Sequence, residues 1–138
     1  MHPIISIGKK NFASLRENNC FYIDKSDLIR EWWESQDEIT LITRPRRFGK
    51  TLNMSMLNYF FSNLYTDKKK LFEDLSVWKE EKYQKLQGTY PVIFMTLKNV
   101  DGLSFEEAKC QFMDVIGSEA SRFRFLLDSQ NLAPEDKE

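Results

Sequence analysis

The sequence is poor in the side chains that bind transition metals or build disulfide frameworks. Its 138 residues include two cysteines, Cys20 and Cys110, and one histidine, His2. The spacing of the two cysteines matches no zinc motif, and two cysteines are too few for a disulfide framework. These absences argue against a zinc site and against a disulfide-stapled secreted domain. They favour a reducing cytoplasm as the location of the chain.

Long apolar runs and repeated segments are also absent. No stretch approaches the ~20 apolar residues that a membrane-spanning helix needs. The N-terminus lacks the apolar core of a signal peptide, and there is no internal repeat or low-complexity segment. The sequence therefore predicts a cytoplasmic chain with no membrane partner.

The overall charge is close to neutral, but one segment is strongly basic. The formal net charge is −1, with 41% hydrophobic and 30% charged residues, as in an ordinary soluble globular protein. At this length one domain is the default, and roughly 68% of the unfolded surface can be buried. The basic segment contains Arg44, Arg46, Arg47 and Lys50. Such a short cluster predicts a focused anion site and does not indicate a nucleic-acid surface.

That basic segment has the layout of a phosphate-binding P-loop. An apolar run, Ile39–Ile42, precedes Thr43–Thr51, and an apolar-periodic segment, Leu52–Leu64, follows it. Strand, tight loop, Gly-Lys-Thr and helix is the P-loop order, although Arg44 stands where the general pattern has its first glycine. In such a loop the backbone amides and the helix dipole attract phosphate.

Each residue type in the loop has a distinct expected role. Gly49 leaves room for a phosphate chain against the backbone. Lys50 would neutralise the β- and γ-phosphates, and the Thr51 hydroxyl would be the metal-binding group, a ligand of Mg²⁺. The complete set of expected nucleotide-binding residues is Arg46, Arg47, Phe48, Gly49, Lys50, Thr51 and Leu52.

The same segment, Arg44–Thr51, resembles the modified Walker A of the bacterial AAA-ATPase-like family. Phe21–Ser26 and Leu28-Ile29 resemble the family's N-terminal Tyr-x-Asp-Lys-Thr/Ser stretch, and Leu71–Leu75 and Tyr90–Ile93 resemble its later signposts. Against this family Arg44 is the expected residue. The resemblance implies ATP and Mg²⁺ as cofactors and an ATPase (a nucleoside-triphosphate hydrolase). It also implies a C-terminal PD-(D/E)XK nuclease-like domain, which members often carry.

Apolar patterning predicts the elements around the loop. Helices are expected at 12–17 after Asn11, from Ser26 or Asp27 onward, at 52–64, and over 105–127 after the Ser104–Glu107 capping box; strands are expected at 38–43 and 92–97. The alternation predicts an α/β, P-loop NTPase-like fold of three layers, αβα, with a parallel sheet. In this scheme 1–37 is a lead-in, 38–132 the P-loop strand-helix-strand-helix region and 133–138 a tail.

This predicted sheet is incomplete. In AAA-like P-loop ATPases the loop strand and the next strand in sequence are separated by later strands, whereas this chain offers two convincing strands. We therefore expect 1–138 to be the N-terminal part of a longer protein, with exposed apolar strand edges.

The acidic half of an ATPase site has no strong candidate. Hydrolysis needs a carboxylate at the end of an apolar strand to hold Mg²⁺ and orient water. Asp101 and Asp24 each follow an apolar run, but both fit a turn or helix-cap carboxylate better. The resemblance places the acidic strand beyond residue 138. We assign no catalytic residue and expect these residues alone to be inactive in hydrolysis.

Several alternatives stay open at this stage. Arg46 and Arg47 either touch phosphate or a neighbouring subunit's site, or form ion pairs with carboxylates. Trp32 and Trp33 either stack on adenine or, as we prefer, one of them is a core residue and its neighbour is half exposed. The whole module either binds ATP, grips nucleic-acid phosphate without hydrolysis, or serves as an assembly scaffold. Homo-oligomerisation is not decided by the sequence.

Overall fold

The computed structural model describes residues 4, 5 and 8–129. Its backbone divides into two compact units, and the division falls between Val92 and Ile93. The loop of interest lies in the first unit. The expected tail, 133–138, lies outside the described residues.

Helices dominate both units. The α-helices of the described chain are α1 (Phe12–Glu17), α2 (Asp27–Ser35), α3 (Lys50–Phe61), α4 (Glu81–Leu86) and α5 (Phe105–Ser121). Short 3-10 helices occupy Asn63–Tyr65, Lys69–Leu71, Ser76–Lys79 and Arg124–Asp128. None of the helices between residues 8 and 129 is both long and apolar enough to cross a bilayer.

The predicted parallel sheet is wrong. The structure is 52% helix and 3% strand, with no sheet over the described residues, so it is not a three-layer αβα fold. Its strand content consists of isolated parallel bridges, Ile4 with Cys20 and Ser62 with Tyr90. Both predicted strands, 38–43 and 92–97, are irregular backbone.

The reason is that an apolar run becomes a strand only when a neighbouring backbone accepts and donates its hydrogen bonds. Within the described chain neither run has such a neighbour. Their side chains stay largely exposed: Ile39 is 88% and Leu41 82% exposed in the first run, and Ile93 72% in the second. Both runs are apolar in sequence, yet the described chain does not bury these side chains.

Helix starts follow their capping residues. The Asn11 side chain accepts a hydrogen bond of 2.9 Å from the Ser14 amide, and α1 has the predicted bounds. At α5 the Ser104 hydroxyl accepts from the Glu107 amide at 3.2 Å. The Glu107 carboxylate in turn accepts from the Leu103 amide at 2.9 Å. Both caps satisfy amide groups that the first helical turn leaves unpaired, so both predicted starts are confirmed.

An aromatic core holds the first unit together. Phe12 of α1, Phe60 of α3 and Phe72 are completely buried. The Phe72 ring stacks on Phe12 with centroids 5.1 Å apart and meets Phe60 edge-on at 5.2 Å. These contacts bring α1, α3 and the chain after Lys69–Leu71 against one another, which fixes the helix that begins at the loop.

Helix α4, which the apolar pattern did not predict, contributes a buried side chain to the first unit. Tyr83 is 1% exposed and belongs to the core cluster. Its hydroxyl donates to a carboxylate oxygen of Glu34 at 2.7 Å, and Lys82 donates to the same oxygen at 2.8 Å. The hydrogen bonds from Lys82 and Tyr83 lower the pKa of Glu34. They tie α4 to the C-terminal turn of α2.

Candidate functional site: the loop before helix α3

The loop enters α3 through two left-handed residues. Gly49 has φ +76° and is the N-cap of α3, and Arg47 has φ +69°. Glycine adopts this conformation without steric cost, whereas a side chain such as that of Arg47 disfavours it by about 1–2 kcal/mol. Non-glycine residues held this way are often found at functional sites. This turn joins the loop to the first residue of α3.

Lys50 folds back across the loop that it closes. Its ammonium donates to the carbonyl oxygen of Arg44 and, at 3.0 Å, to that of Pro45. An ammonium has three donors, so one remains for another acceptor. The side chain therefore points over the loop and not away from it, which is the orientation that the P-loop interpretation requires.

The first amide groups of α3 are open. Its first backbone hydrogen bond within the described chain runs from the Asn53 amide to the Gly49 carbonyl, at 2.9 Å. No acceptor within residues 8–129 takes the amide protons of Lys50, Thr51 or Leu52. Such amides carry the positive end of the helix dipole. Together with the Lys50 ammonium they form a donor set that suits a phosphate group.

The arginines of the loop are exposed. Arg44, Arg46 and Arg47 each face solvent, and no ion pair joins them to a carboxylate of the described chain. The structure therefore does not support the alternative in which Arg46 and Arg47 are held by nearby acidic residues. Phe48, between Arg47 and Gly49, is 59% exposed.

A small cavity lies beside the start of α3. Its volume is about 190 Å³, and its lining includes Gly49 and Leu52 from the α3 side and Tyr22 and Lys25 from the segment before α2. Whole-ligand pockets usually measure about 300–1,000 Å³, so this cavity would take part of a ligand. The 21–26 segment was considered only for its family resemblance and for the Asp24 carboxylate, and no local pattern would have placed it against the loop.

Asp24 is used to hold this segment in place. Its carboxylate accepts from the Ser26 amide at 2.8 Å and from the Ser76 amide at 2.7 Å. Burial alone would raise its pKa, but the hydrogen bonds from Ser26 and Ser76 outweigh burial and lower the pKa below 3.8. This is the turn-carboxylate role that we preferred over Mg²⁺ binding. Asp101, the other acidic candidate, lies in the second unit, where its amide donates to Gln111.

The lowered pKa gives a testable pH dependence. Because the folded-state pKa of Asp24 lies below its ordinary value, its stabilisation is present above that value and is lost as the pH falls through the folded pKa. We expect Asp24→Asn to lower the free energy of unfolding at pH 7 by on the order of 1 kcal/mol, since the carboxylate is largely exposed. Urea titrations at neutral pH and at about pH 2.5 measure the difference between the two proteins. It should shrink at the acidic pH; a constant or growing difference would contradict the assignment.

Neither tryptophan of α2 is a buried core residue. Trp32 is 36% and Trp33 37% exposed. Trp33 stacks on Phe61 with centroids 5.6 Å apart, and Trp32 meets the same ring edge-on at 5.3 Å. The expectation that one of them is a core residue was therefore wrong, since both are partly exposed. The Phe61 ring covers one face of the Trp33 ring.

The chain matches one known protein family over most of its length. The sequence profile of the AAA-ATPase-like family, described as "Predicted AAA-ATPase", matches residues 6–137. The chain belongs to this family. No curated protein and no solved structure matches it significantly. Membership in the AAA-ATPase-like family confirms the resemblance and indicates nucleotide use in general terms.

Proposed function

We propose that this AAA-ATPase-like chain binds ATP at the loop before α3. The amides from Arg47 to Thr51 would surround the phosphates, and Lys50 would contact the β- and γ-phosphates. The observation that carries the proposal is the open row of amides at the start of α3 with the Lys50 ammonium folded over the loop. Family membership supports a nucleotide as the ligand.

Lys50 can exchange partners when the ligand arrives. Its present acceptors are the backbone carbonyls of Arg44 and Pro45, both exposed residues. A phosphate oxygen carries negative charge and accepts a stronger hydrogen bond than a neutral carbonyl does. The ammonium can therefore add a phosphate contact through its third donor or shift from the carbonyls to the phosphate.

Thr51 is the residue that would hold Mg²⁺. It is exposed in the first turn of α3, where its hydroxyl neighbours the open amides. Hydroxyl oxygen is a ligand type that Mg²⁺ accepts, and this ion usually keeps several waters and binds substrate phosphates. Between residues 8 and 129 no three His, Cys, Asp or Glu side chains converge on a metal position. The proposal thus uses one protein ligand, with the remaining ligands from phosphate and water.

The proposal concerns binding and not hydrolysis. Of the two acidic candidates, Asp24 already accepts hydrogen bonds from the Ser26 and Ser76 amides through both carboxylate oxygens. These oxygens therefore stabilise the fold. When bound, Mg²⁺ would neutralise phosphate charge beside Thr51. The residues of this loop would then orient the phosphate chain along the start of α3.

The test is titration of the 138-residue chain with a fluorescent ATP analogue, with and without Mg²⁺. We expect saturable binding that unlabelled ATP displaces and that Mg²⁺ strengthens. Binding of a single-stranded oligonucleotide that falls steeply with salt, without ATP binding, would favour the nucleic-acid alternative instead. Gel filtration in which assembly forms without any nucleotide binding would favour the scaffold.

A further inference from the structure

A second lysine ends beside the loop. The Lys25 Nζ lies 3.9 Å from the position that a Cβ on Gly49 would occupy, so the ammonium stands directly against the start of α3. Both residues line the cavity of about 190 Å³. Over the part of the chain that the structure describes, this ammonium has neither a carboxylate partner nor a hydrogen-bond acceptor.

Other lysines of the same unit are paired with carboxylates. Lys68 contacts Glu17 at 2.8 Å, Lys82 contacts Glu34 at 2.8 Å, and Lys85 contacts Glu81 at 2.7 Å. Acidic side chains are therefore within reach of lysines elsewhere on this surface. Beside Gly49, by contrast, the walls of the cavity are mostly apolar, and they include Leu15, Phe21 and Ile23. Among the residues that line this cavity, Lys25 is the one with a charged side chain.

The backbone of Lys25 is anchored on both sides. Its amide donates to the Tyr22 hydroxyl at 3.4 Å, and its carbonyl accepts from the Leu28 amide at 3.1 Å. The neighbouring Ser26 is fully buried and accepts from the Val77 amide at 3.1 Å. The Lys25 side chain therefore extends from an anchored backbone position, and only the side chain has to adjust to a ligand.

We propose that Lys25 is a second phosphate-binding cation of this site, contacting the phosphate chain of the nucleotide beside Gly49. The inference rests on the proposed function, because it places the phosphates on the first amides of α3. An oxygen bound there next to Gly49 lies within reach of the Lys25 ammonium, which gains a charge-assisted hydrogen bond. Lys25 and Lys50 would then hold the same phosphate chain from two separate segments of the sequence.

The test compares Lys25→Met with the parent chain, with Lys85→Met as the matched control. Lys85 is 75% exposed and lies on α4, so its variant removes a similar charge from another surface. We expect Lys25→Met to weaken ATP binding about five- to tenfold and to weaken displacement by inorganic tripolyphosphate by a similar factor. Lys85→Met should change neither. Because the Lys25 side chain makes no hydrogen bond or ion pair in the described chain, thermal unfolding of Lys25→Met should match the parent.

The outcomes separate this inference from the proposed function. If Lys50→Ala weakens ATP binding and Lys25→Met does not, the role of Lys25 is refuted and the nucleotide site stands. Equal losses in Lys25→Met and Lys85→Met would reveal a general charge effect and also refute it. A loss for ATP but not for tripolyphosphate would place Lys25 on the nucleoside and overturn the phosphate assignment. If the parent chain binds no ATP, both proposals fall.

Discussion

Lys50→Ala is expected to weaken ATP binding by at least about tenfold, because a charge-assisted hydrogen bond to phosphate is lost. The substitution also removes the hydrogen bonds that hold the carbonyls of Arg44 and Pro45, so the loop itself loses a constraint. The loss should be larger for ATP than for AMP, since Lys50 is assigned to the β- and γ-phosphates. A competition titration against a fluorescent ATP analogue measures both affinities.

Lys85→Ala is the control for this experiment, because it removes an exposed ammonium of α4. Circular dichroism of Lys50→Ala should match the parent, since Lys50 lies outside the core cluster. Equal ATP affinity in Lys50→Ala and the parent would remove the phosphate assignment. An equal loss for ATP and AMP would remove the assignment to the β- and γ-phosphates alone.

Phe72→Ala is expected to produce the largest loss of stability in the first unit, about 3–5 kcal/mol. The ring is completely buried and contacts the rings of Phe12 and Phe60. Truncation would leave a cavity between α1 and α3 that these neighbours cannot fill without moving. Thermal unfolding followed by circular dichroism should show a midpoint roughly 10–20 °C lower.

Two further variants test the prediction about Phe72: a milder substitution at the same site and a control at an exposed site. Phe72→Leu, which fills part of the space, should cost less, on the order of 1–2 kcal/mol, and remains measurable if the alanine variant unfolds completely. Phe105→Ala makes the same substitution at a side chain that is 78% exposed and should leave the midpoint nearly unchanged. If Phe105→Ala and Phe72→Ala had similar effects, the described core would not be what stabilises the protein.

Local signals in the sequence predicted the helices well. Asn11 and Ser104 are side chains that accept hydrogen bonds from the first amides of a helix, and each begins a helix in the structure. Helix α3 was expected over 52–64 and is found at Lys50–Phe61, followed by a 3-10 turn. Capping depends on residues within one turn of each other, so a single sequence contains the information.

The sheet could not be predicted from the same kind of signal. The runs 38–43 and 92–97 have strand-like apolar patterns, yet neither has a paired neighbour in the described chain. Pairing depends on segments that are distant in sequence, and no pattern inside one run reports whether a partner is present. In the same way, α4 was missed because the burial of Tyr83 in the core and its hydrogen bond to Glu34 depend on residues outside this helix.

Of the two segments that meet at the candidate site, the sequence pointed to the loop before α3 and not to the segment around Lys25. The loop residues stood out because Gly-Lys-Thr follows an apolar run and precedes a helical one. The segment around Lys25 did not, because the contact between Lys25 and Gly49 joins positions that only the packing of α1, α2 and α3 brings together. Asp24 gave an ambiguous signal, since a carboxylate before a serine suits a turn as well as a metal site.

The most direct test of the central claim is a two-dimensional amide NMR spectrum of the chain recorded with and without Mg²⁺-ATP. If the phosphates bind the open amides of α3, the largest shift changes should fall on Gly49, Lys50 and Thr51, with amides of the second unit, such as that of Gln111, unaffected. Unchanged signals at Gly49–Thr51 under saturating ATP, or changes concentrated elsewhere, would contradict the account.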